Sequence, residues 1–224
     1  MQTIRGFVPR TGVLPVALFL AACIIAAGAL AACGAATTTG TSGNPPPATA
    51  TTAPTATARA KPTSVPPLTQ AFCQGILSVA QVNQIVDPSD PAVTLAVTSP
   101  PDIVTCEYQN AQGLNDFIIA FQAYTGPYPV SASQFSAYAA QIVNGFTQGG
   151  GTVTTNTLVN GVGDHAAFLA ESITAQGATI KVDSLIALDG KVVIACANYS
   201  VGSSPDATQL SDLTRCGQRT VSQL

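Results

Sequence analysis

The chain has 224 residues, only 8% of them charged, and a formal net charge of −3. Four of its eight basic residues, Arg5, Arg10, Arg59 and Lys61, precede Leu68; Lys181, Lys191, Arg215 and Arg219 then face all eleven acids, a formal charge of −7 over the remainder. Without a basic patch the remainder lacks the phosphate-neutralising term that dominates nucleic-acid binding, and nucleic acid is excluded as a partner.

Residues 1–33 have the layout of a lipoprotein signal peptide. Arg5 and Arg10 form a basic flank, Thr11 to Ala32 carries no charge, and the stretch ends in Leu30-Ala31-Ala32-Cys33. Small residues before a cysteine suit the lipoprotein signal peptidase, so Cys33 is the expected lipidation site, its thiol carrying diacylglycerol with acyl chains such as palmitate. Leu20-Ala21-Ala22-Cys23 spells the same box, but cleavage there would leave the apolar run Ile24 to Ala32 at the mature N-terminus. The alternative is an uncleaved transmembrane helix, for which the run is long enough. Either way the basic flank stays in the cytoplasm, and the rest of the chain is expected on the outer face of the cytoplasmic membrane.

Residues 34–67, rich in Thr, Ala and Pro, have little to bury against the entropy of ordering and are expected to form a disordered tether. Pro45-Pro46-Pro47 and Pro66-Pro67 stiffen it locally. Fully extended it reaches on the order of 100 Å, and as a coil about 30–40 Å.

Residues 68–224 are expected to form one extracytoplasmic domain. Phe72 to Leu77 is a short opening helix, and Ser78 with Gln81 forms a capping box for a second, ending near Val86 before Asp87-Pro88-Ser89-Asp90-Pro91. Ile103 to Gln109 alternates as a strand with Val104, Cys106 and Tyr108 on one face. After the turn Asn110–Gly113, Asp116 to Tyr124 is a strand aligning Phe117, Ile119 and Phe121. Ser131 and Gln134 cap the clearest helix, whose apolar face is Phe135, Tyr138, Ala139, Ile142, Val143 and Phe146, stopped by Gly149-Gly150-Gly151.

Thr152 to Val159 is a Thr-rich strand, followed by the turn Asn160–Asp164 and a short strand near Ala166–Ala170. Asp189-Gly190 signals a two-residue hairpin turn, which sets Ile186 opposite Val193, Val182 opposite Ala197 and Ile180 opposite Tyr199. Ser204 and Pro205 suit the start of a last helix with the stripe Leu210, Leu213, Gly217 and Val221. The order α-β-β-α-β-β-β-β-α implies an α+β domain: an antiparallel sheet of about five to six strands with two to three helices packed on it.

Cys73, Cys106, Cys196 and Cys216 are an even set in an exported domain, which points to two disulfides with three possible pairings. The spacing favours sequence neighbours, Cys73–Cys106 and Cys196–Cys216. Zinc, the rival reading, usually takes paired ligands such as C-x2-C, and there are none.

Catalytic sets are scarce. His165 is the only histidine, its neighbour Asp164 diverges from it along a turn, and no G-x-S-x-G elbow exists. Gly161-Val162-Gly163 leads into a strand rather than a helix, so it is a turn and not a phosphate cradle. The acids Asp87, Asp90, Asp102 and Glu107 fall mostly in or near a Pro-rich loop. Asn198-Tyr199-Ser200 is a formal glycosylation sequon. No catalytic residue, metal or cofactor is assigned.

The lipobox ending at Cys33, the Thr/Pro/Ser-rich spacer and the Cys73-to-Val86 segment form one pattern with Cys106-Glu107-Tyr108 and Gly161-Val162-Gly163-Asp164-His165-Ala166. It resembles the small secreted lipoproteins of actinobacteria and related bacteria, a family known as a domain of unknown function. The resemblance implies a Cys73–Cys106 bond and an extracytoplasmic α+β domain, and it supplies no catalytic residues. More loosely, the layout is similar to the extracellular sensor domains of mycobacterial receptor kinases, which also carry two disulfides; without a kinase domain the sensing role does not carry over.

The leading expectation is a non-enzymatic cell-envelope lipoprotein, membrane-bound through its lipid. It would bind a small molecule, lipid or glycan in an apolar cleft lined by Phe117, Phe121, Phe135 or Phe146. A protein–protein adaptor for a membrane or cell-wall partner is the alternative, and an acid-based envelope hydrolase the remote one.

Overall fold

Seven strands make one antiparallel sheet in a computed structural model that describes residues 59–86, 91–99, 103–175, 178–201 and 208–224. In chain order the elements are α1 (Gln70–Ile76), α2 (Val79–Val82), β1 (Ala92–Thr98), β2 (Val104–Asn110), β3 (Asn115–Ala123) and α3 (Ala132–Gln148). They continue with β4 (Thr152–Val159), β5 (His165–Ala175), β6 (Ala178–Asp189), β7 (Val192–Val201) and α4 (Thr208–Gln223). The sheet order is β1-β2-β3-β7-β6-β5-β4. The α+β class and both disulfides stand as expected, with one strand more than the sequence indicated.

That extra strand is β1. Pro91 and the Pro100-Pro101 pair bracket it and read as loop, but prolines are tolerated at the ends of an edge strand, where no ladder bond is lost. β1 pairs with β2, with an irregularity between Ala92 and Thr94.

Helices cover both faces of the sheet. On one, Cys106, Tyr108, Phe117, Ile119 and Phe121 join Phe168, Leu185, Ile194 and Cys196 in a core with Cys73 and Ile76 of α1, Val82 of α2, and Leu213 and Cys216 of α4. On the other, Ala167, Leu169, Ile186, Leu188, Val193 and Ala195 meet Phe135, Ala139 and Ile142 of α3. The central strands β6 and β7 are thus buried on both sides, which is why Leu185–Leu188 and Val192–Ala197 show unbroken apolar runs instead of alternation.

Both disulfides lie on the first face. Cys73–Cys106 ties α1 to β2, and Cys196–Cys216 ties β7 to α4. The buried Tyr108 hydroxyl donates to the carbonyl of Leu77, at 2.6 Å, and also contacts that of Cys73, at 3.2 Å, satisfying carbonyls at the end of α1.

The capping boxes at Ser78/Gln81 and Ser131/Gln134 both form. α2 nevertheless stops at Val82, short of Val86, and the Asn83 side-chain amide donates to the Ala92 carbonyl of β1. β5 runs on to Ala175, well past Ala170, because β6 pairs along its whole length. Ser204 and Pro205 lie outside the described residues; within α4, Leu213 and Gly217 are buried and Val221 is half-buried, but Leu210 is exposed.

The β6–β7 hairpin turns one residue later than its sequence signal. Gly190 and Lys191 form the turn, Asp189 stays in the ladder opposite Val192, and Ile186, Val182 and Ile180 oppose Ala195, Tyr199 and Val201. Moving the turn by one residue displaces each partner by two, so every side chain keeps its face.

Outside contacts hold Asp189 in place. Its fully buried carboxylate pairs with Arg59 and Lys61, Lys61 also reaches Asp164 at 2.7 Å, and the Lys191 amide donates to the Pro62 carbonyl. Arg59 to Pro62, within the span the sequence assigns to the tether, is therefore bonded to the hairpin end of the sheet.

Candidate functional site: the polar sheet face on the α3 side

α3 lies chiefly over β4 and β5. Beyond it, the same sheet face continues across β7, β3, β2 and β1, and there the side chains turn polar and less buried. The strand registers lay this surface out in rows. One row runs Glu107–Ile118–Ala197–Ser184–Leu169 across β2, β3, β7, β6 and β5. Two residues along, Tyr199–Val182–Glu171 runs across β7, β6 and β5. Tyr199 is thus flanked by an acid two strands away on either side.

Glu171 shares its face with Ala167 and Leu169, so strand alternation alone carries it under the α3 layer. It is 3% exposed, and among the described residues neither carboxylate oxygen has a hydrogen-bond partner. Around it, Phe146, Val182 and Ala197 form an apolar cluster with Val153, Ile173, Ile180 and Tyr199 packed at its margin. Burial pushes the Glu171 carboxyl up to about 7, helped by Asp183 on the adjacent strand. Ser184, on β6 between Glu171 and Tyr199, is 1% exposed and its hydroxyl is also without a partner among the described residues.

Tyr199 is half-buried. Its hydroxyl is pushed up by burial, with the charges of Glu171 and Glu107 adding to the shift. Glu107 is half-buried and hydrogen-bonded: the Thr98 and Thr105 hydroxyls both donate to its Oε1, at 2.6 and 2.9 Å. At the hairpin end Tyr138 of α3 meets Tyr124 edge-on with ring centroids 6.2 Å apart, closing α3 onto the end of β3.

The opposite face of β6 and β7 holds Asp183 and Asn198, paired across the ladder and both buried. Burial raises Asp183 to about 6, partly offset by Lys181. Since Asn198 is 2% exposed, the Asn-Tyr-Ser sequon presents no accessible acceptor in the folded domain.

The four phenylalanines expected to line one cleft do not meet. Phe117 and Phe121 lie in the α1/α4 core, Phe135 and Phe146 in two separate clusters under α3, and all are buried. Of the acids considered from sequence, Glu107 lies on this face, while Asp87, Asp90 and Asp102 lie outside the described residues, as do Cys33 and the leader. His165 stacks on Phe135 with centroids 5.5 Å apart and its Nε2 lies 2.7 Å from the Val130 carbonyl. Asp164 turns away from it to Lys61, the Gly190 amide and the Tyr128 hydroxyl. Gly161 and Gly163, with φ of 80° and 58°, form the turn into β5. Among the described residues no three His, Cys, Asp or Glu side chains gather as a metal site, and no helix is long and apolar enough to cross a membrane.

Sequence reasoning missed Glu171 and Ser184. The available signal was a lone acid in an otherwise uncharged strand, Ala166 to Ala175. No protein-family model matches the chain, and no curated protein matches it at a significant level.

Proposed function

We propose that this chain is a non-enzymatic cell-envelope lipoprotein, anchored through Cys33 on the outer face of the cytoplasmic membrane, that binds a small molecule at the sheet face beside α3. The observation that carries the reading is the pair Glu171 and Ser184: two buried polar side chains with no hydrogen-bond partner among the described residues, on one sheet face beside the half-buried Tyr199. Buried polar groups are nearly always hydrogen-bonded, and each exception calls for an explanation. A ligand that supplies donors and acceptors there satisfies both.

The arrangement favours binding over hydrolysis. Glu107 and Glu171 sit on β2 and β5, four strand spacings apart, which is about 19 Å between backbones. Glycosidase carboxylates flank one bond at about 5–9.5 Å, so this pair brackets a molecule rather than a bond. The phenylalanines expected to line an apolar cleft lie in separate packed clusters, and the polar groups on this face move the proposed ligand class away from lipid.

Native and denaturing mass spectra of the wild-type chain and a Ser184→Val variant test the reading. A bound mass that survives gentle ionisation, disappears on denaturation and is lost in the variant supports it. A bare mass in both, with no small molecule perturbing Tyr199, rejects it. A protein–protein adaptor is the second reading, favoured by the edge strand β4: it is uncharged and Thr-rich, and it carries Leu158 at 54% exposure.

A further inference from the structure

We infer that Glu171 makes the C-terminal turns of α3 a proton-controlled cover, seated while the carboxyl is protonated and loosened when it ionises. The inference goes beyond the proposed binding role and needs no ligand. Its ground is the packing around one side chain. Across the sheet Glu171 lies between Val153 of β4 and Val182 of β6, with Tyr199 of β7 one strand beyond. Leu169 and Ile173 are its neighbours on the same face of β5. Phe146 of α3 joins Val182 and Ala197 in the cluster that closes over this part of the sheet. Neither carboxylate oxygen of Glu171 has a hydrogen-bond partner among the described residues.

An ionised carboxylate in that position has nothing to offset its charge. The elements packed on Glu171 bring no base to it. α3 and β4 carry no charged residue, and the titratable Tyr138 stands nearer the start of α3, beside Tyr124. β7 offers Tyr199, while Lys181 and Asp183 of β6 alternate to the opposite face. His165 is at the start of β5 against Phe135, and Glu107 is on β2. α3 itself adds to the cost: its last turn has no basic residue, and the carbonyls at a helix C-terminus carry partial negative charge. The neutral acid is the form that fits under α3. Burial, with the charge of Asp183 adding to it, holds that proton up to about 7.

Water has to reach the carboxylate once it forms, and the α3 side is the one that yields. β5 is paired along its length with β6 and along most of it with β4, and both disulfides staple the other face. α3 has no crosslink. Its end is seated by Phe146, whose ring lies against Gly151 so closely that a side chain there would overlap it, and the helix stops as Gly150 takes φ of 88°. Lifting these last turns wets Glu171 without breaking a strand pair, and it uncovers Ser184 and Tyr199 on the same face. In the open form the carboxyl returns to its ordinary value of 4.5. Opening therefore gains about tenfold per pH unit between the open and closed values and levels off above the closed one.

The test follows amide hydrogen exchange of the full chain, in a neutral polyoxyethylene-ether detergent, from pH 5 to pH 8. Protection factors remove the intrinsic pH dependence of exchange. Low, non-denaturing urea leaves local opening unchanged and accelerates exchange through global unfolding. Protection over Ala139–Thr147 should fall about tenfold per pH unit from pH 5 to pH 7, level off by pH 8 and not respond to urea. In Glu171→Gln, which keeps the shape and cannot ionise, the same amides should hold a protection that does not vary with pH. The Glu171 carboxyl carbon resonance, which needs no variant, should titrate with its midpoint where the wild-type protection levels off. Wild-type protection that is flat with pH overturns the inference, as does a slope that survives in Glu171→Gln. Exchange of α3 that accelerates with urea in step with β2 and β7 overturns it too, since the layer then opens only with the whole domain. Any of these failures leaves the binding role standing, because mass spectra of the bound molecule test that separately.

Discussion

Lys61 and Asp189, 128 residues apart in sequence, bring ammonium and carboxylate Oδ1 to within 2.7 Å at the hairpin end of the sheet. Asp189 is fully buried and Lys61 is partly exposed, so the acid depends on a partner that arrives from the tether side. Arg59 joins the same carboxylate. A chain starting at Leu68 would bury Asp189 without either base. Losing one partner of a fully buried pair costs about 3–5 kcal/mol; with both bases partly exposed, a loss of about 1–3 kcal/mol is expected. Urea melts of chains starting at residues 58 and 68 measure it, and Asp189→Asn in the shorter chain should recover part of the difference. Equal midpoints would show that the contacts contribute nothing.

Acidity should stabilise the domain between neutral pH and about pH 5. Glu171 sits near 7 when folded and Asp183 near 6, both above their ordinary values of 4.5 and 3.8. An acid raised by folding binds its proton more tightly in the native state, so stability grows as pH falls through the folded value and levels off below the unfolded one. For Glu171 the change is on the order of 3 kcal/mol. Denaturation midpoints at pH 5 and pH 8 should therefore differ in favour of pH 5, and Glu171→Gln should flatten most of that slope. A midpoint that rises toward pH 8 contradicts the burial argument.

Removing a disulfide should destabilise strongly. The bonds close sequence separations of 33 and 20 residues, which correspond to about 4 and 3 kcal/mol in the chain-entropy account. Double serine variants, Cys73→Ser with Cys106→Ser and Cys196→Ser with Cys216→Ser, should each shift the urea midpoint accordingly. The first should cost slightly more.

The proposed anchorage turns on Cys33. Processing at the lipobox gives a mature chain beginning at Cys33 with diacylglycerol on its sulfur, and Cys33→Ala should remain an unlipidated precursor. Intact mass of membrane extracts, with labelled palmitate incorporation, decides this. A wild-type chain of full precursor mass would mean that the apolar run is kept as a transmembrane helix.

Much of the fold was legible because local chemistry decides it. Ser131 and Gln134 satisfy each other's backbone donors whatever surrounds them, and Thr152–Val159 has no residue that resists extension. Cysteine spacing carried the pairing. β1 was not legible, because flanking prolines speak for a loop unless a neighbouring strand is known. The hairpin turn was misplaced by one residue because Asp189 has partners in Arg59, Lys61 and Val192 that hold it in the ladder. The candidate site was hidden for the same kind of reason: nothing near Glu171 or Ser184 in sequence says that α3 will bury that face, and the phenylalanines expected to line one cleft belong to different layers.

The covalent reinforcement is one-sided. All four domain cysteines belong to the core shared with α1, α2 and α4, and α3 has no crosslink to the sheet. Under mechanical stress with the disulfides intact the two layers should come apart in different ways, α3 lifting first while the stapled layer persists. At rest the same asymmetry should appear as a gradient in amide hydrogen exchange. Buried amides of α3 should exchange through local opening, and those of β2 and β7 only through global unfolding. The domain then has one stapled layer and one loose cover, with Glu171 and Ser184 buried on the covered side.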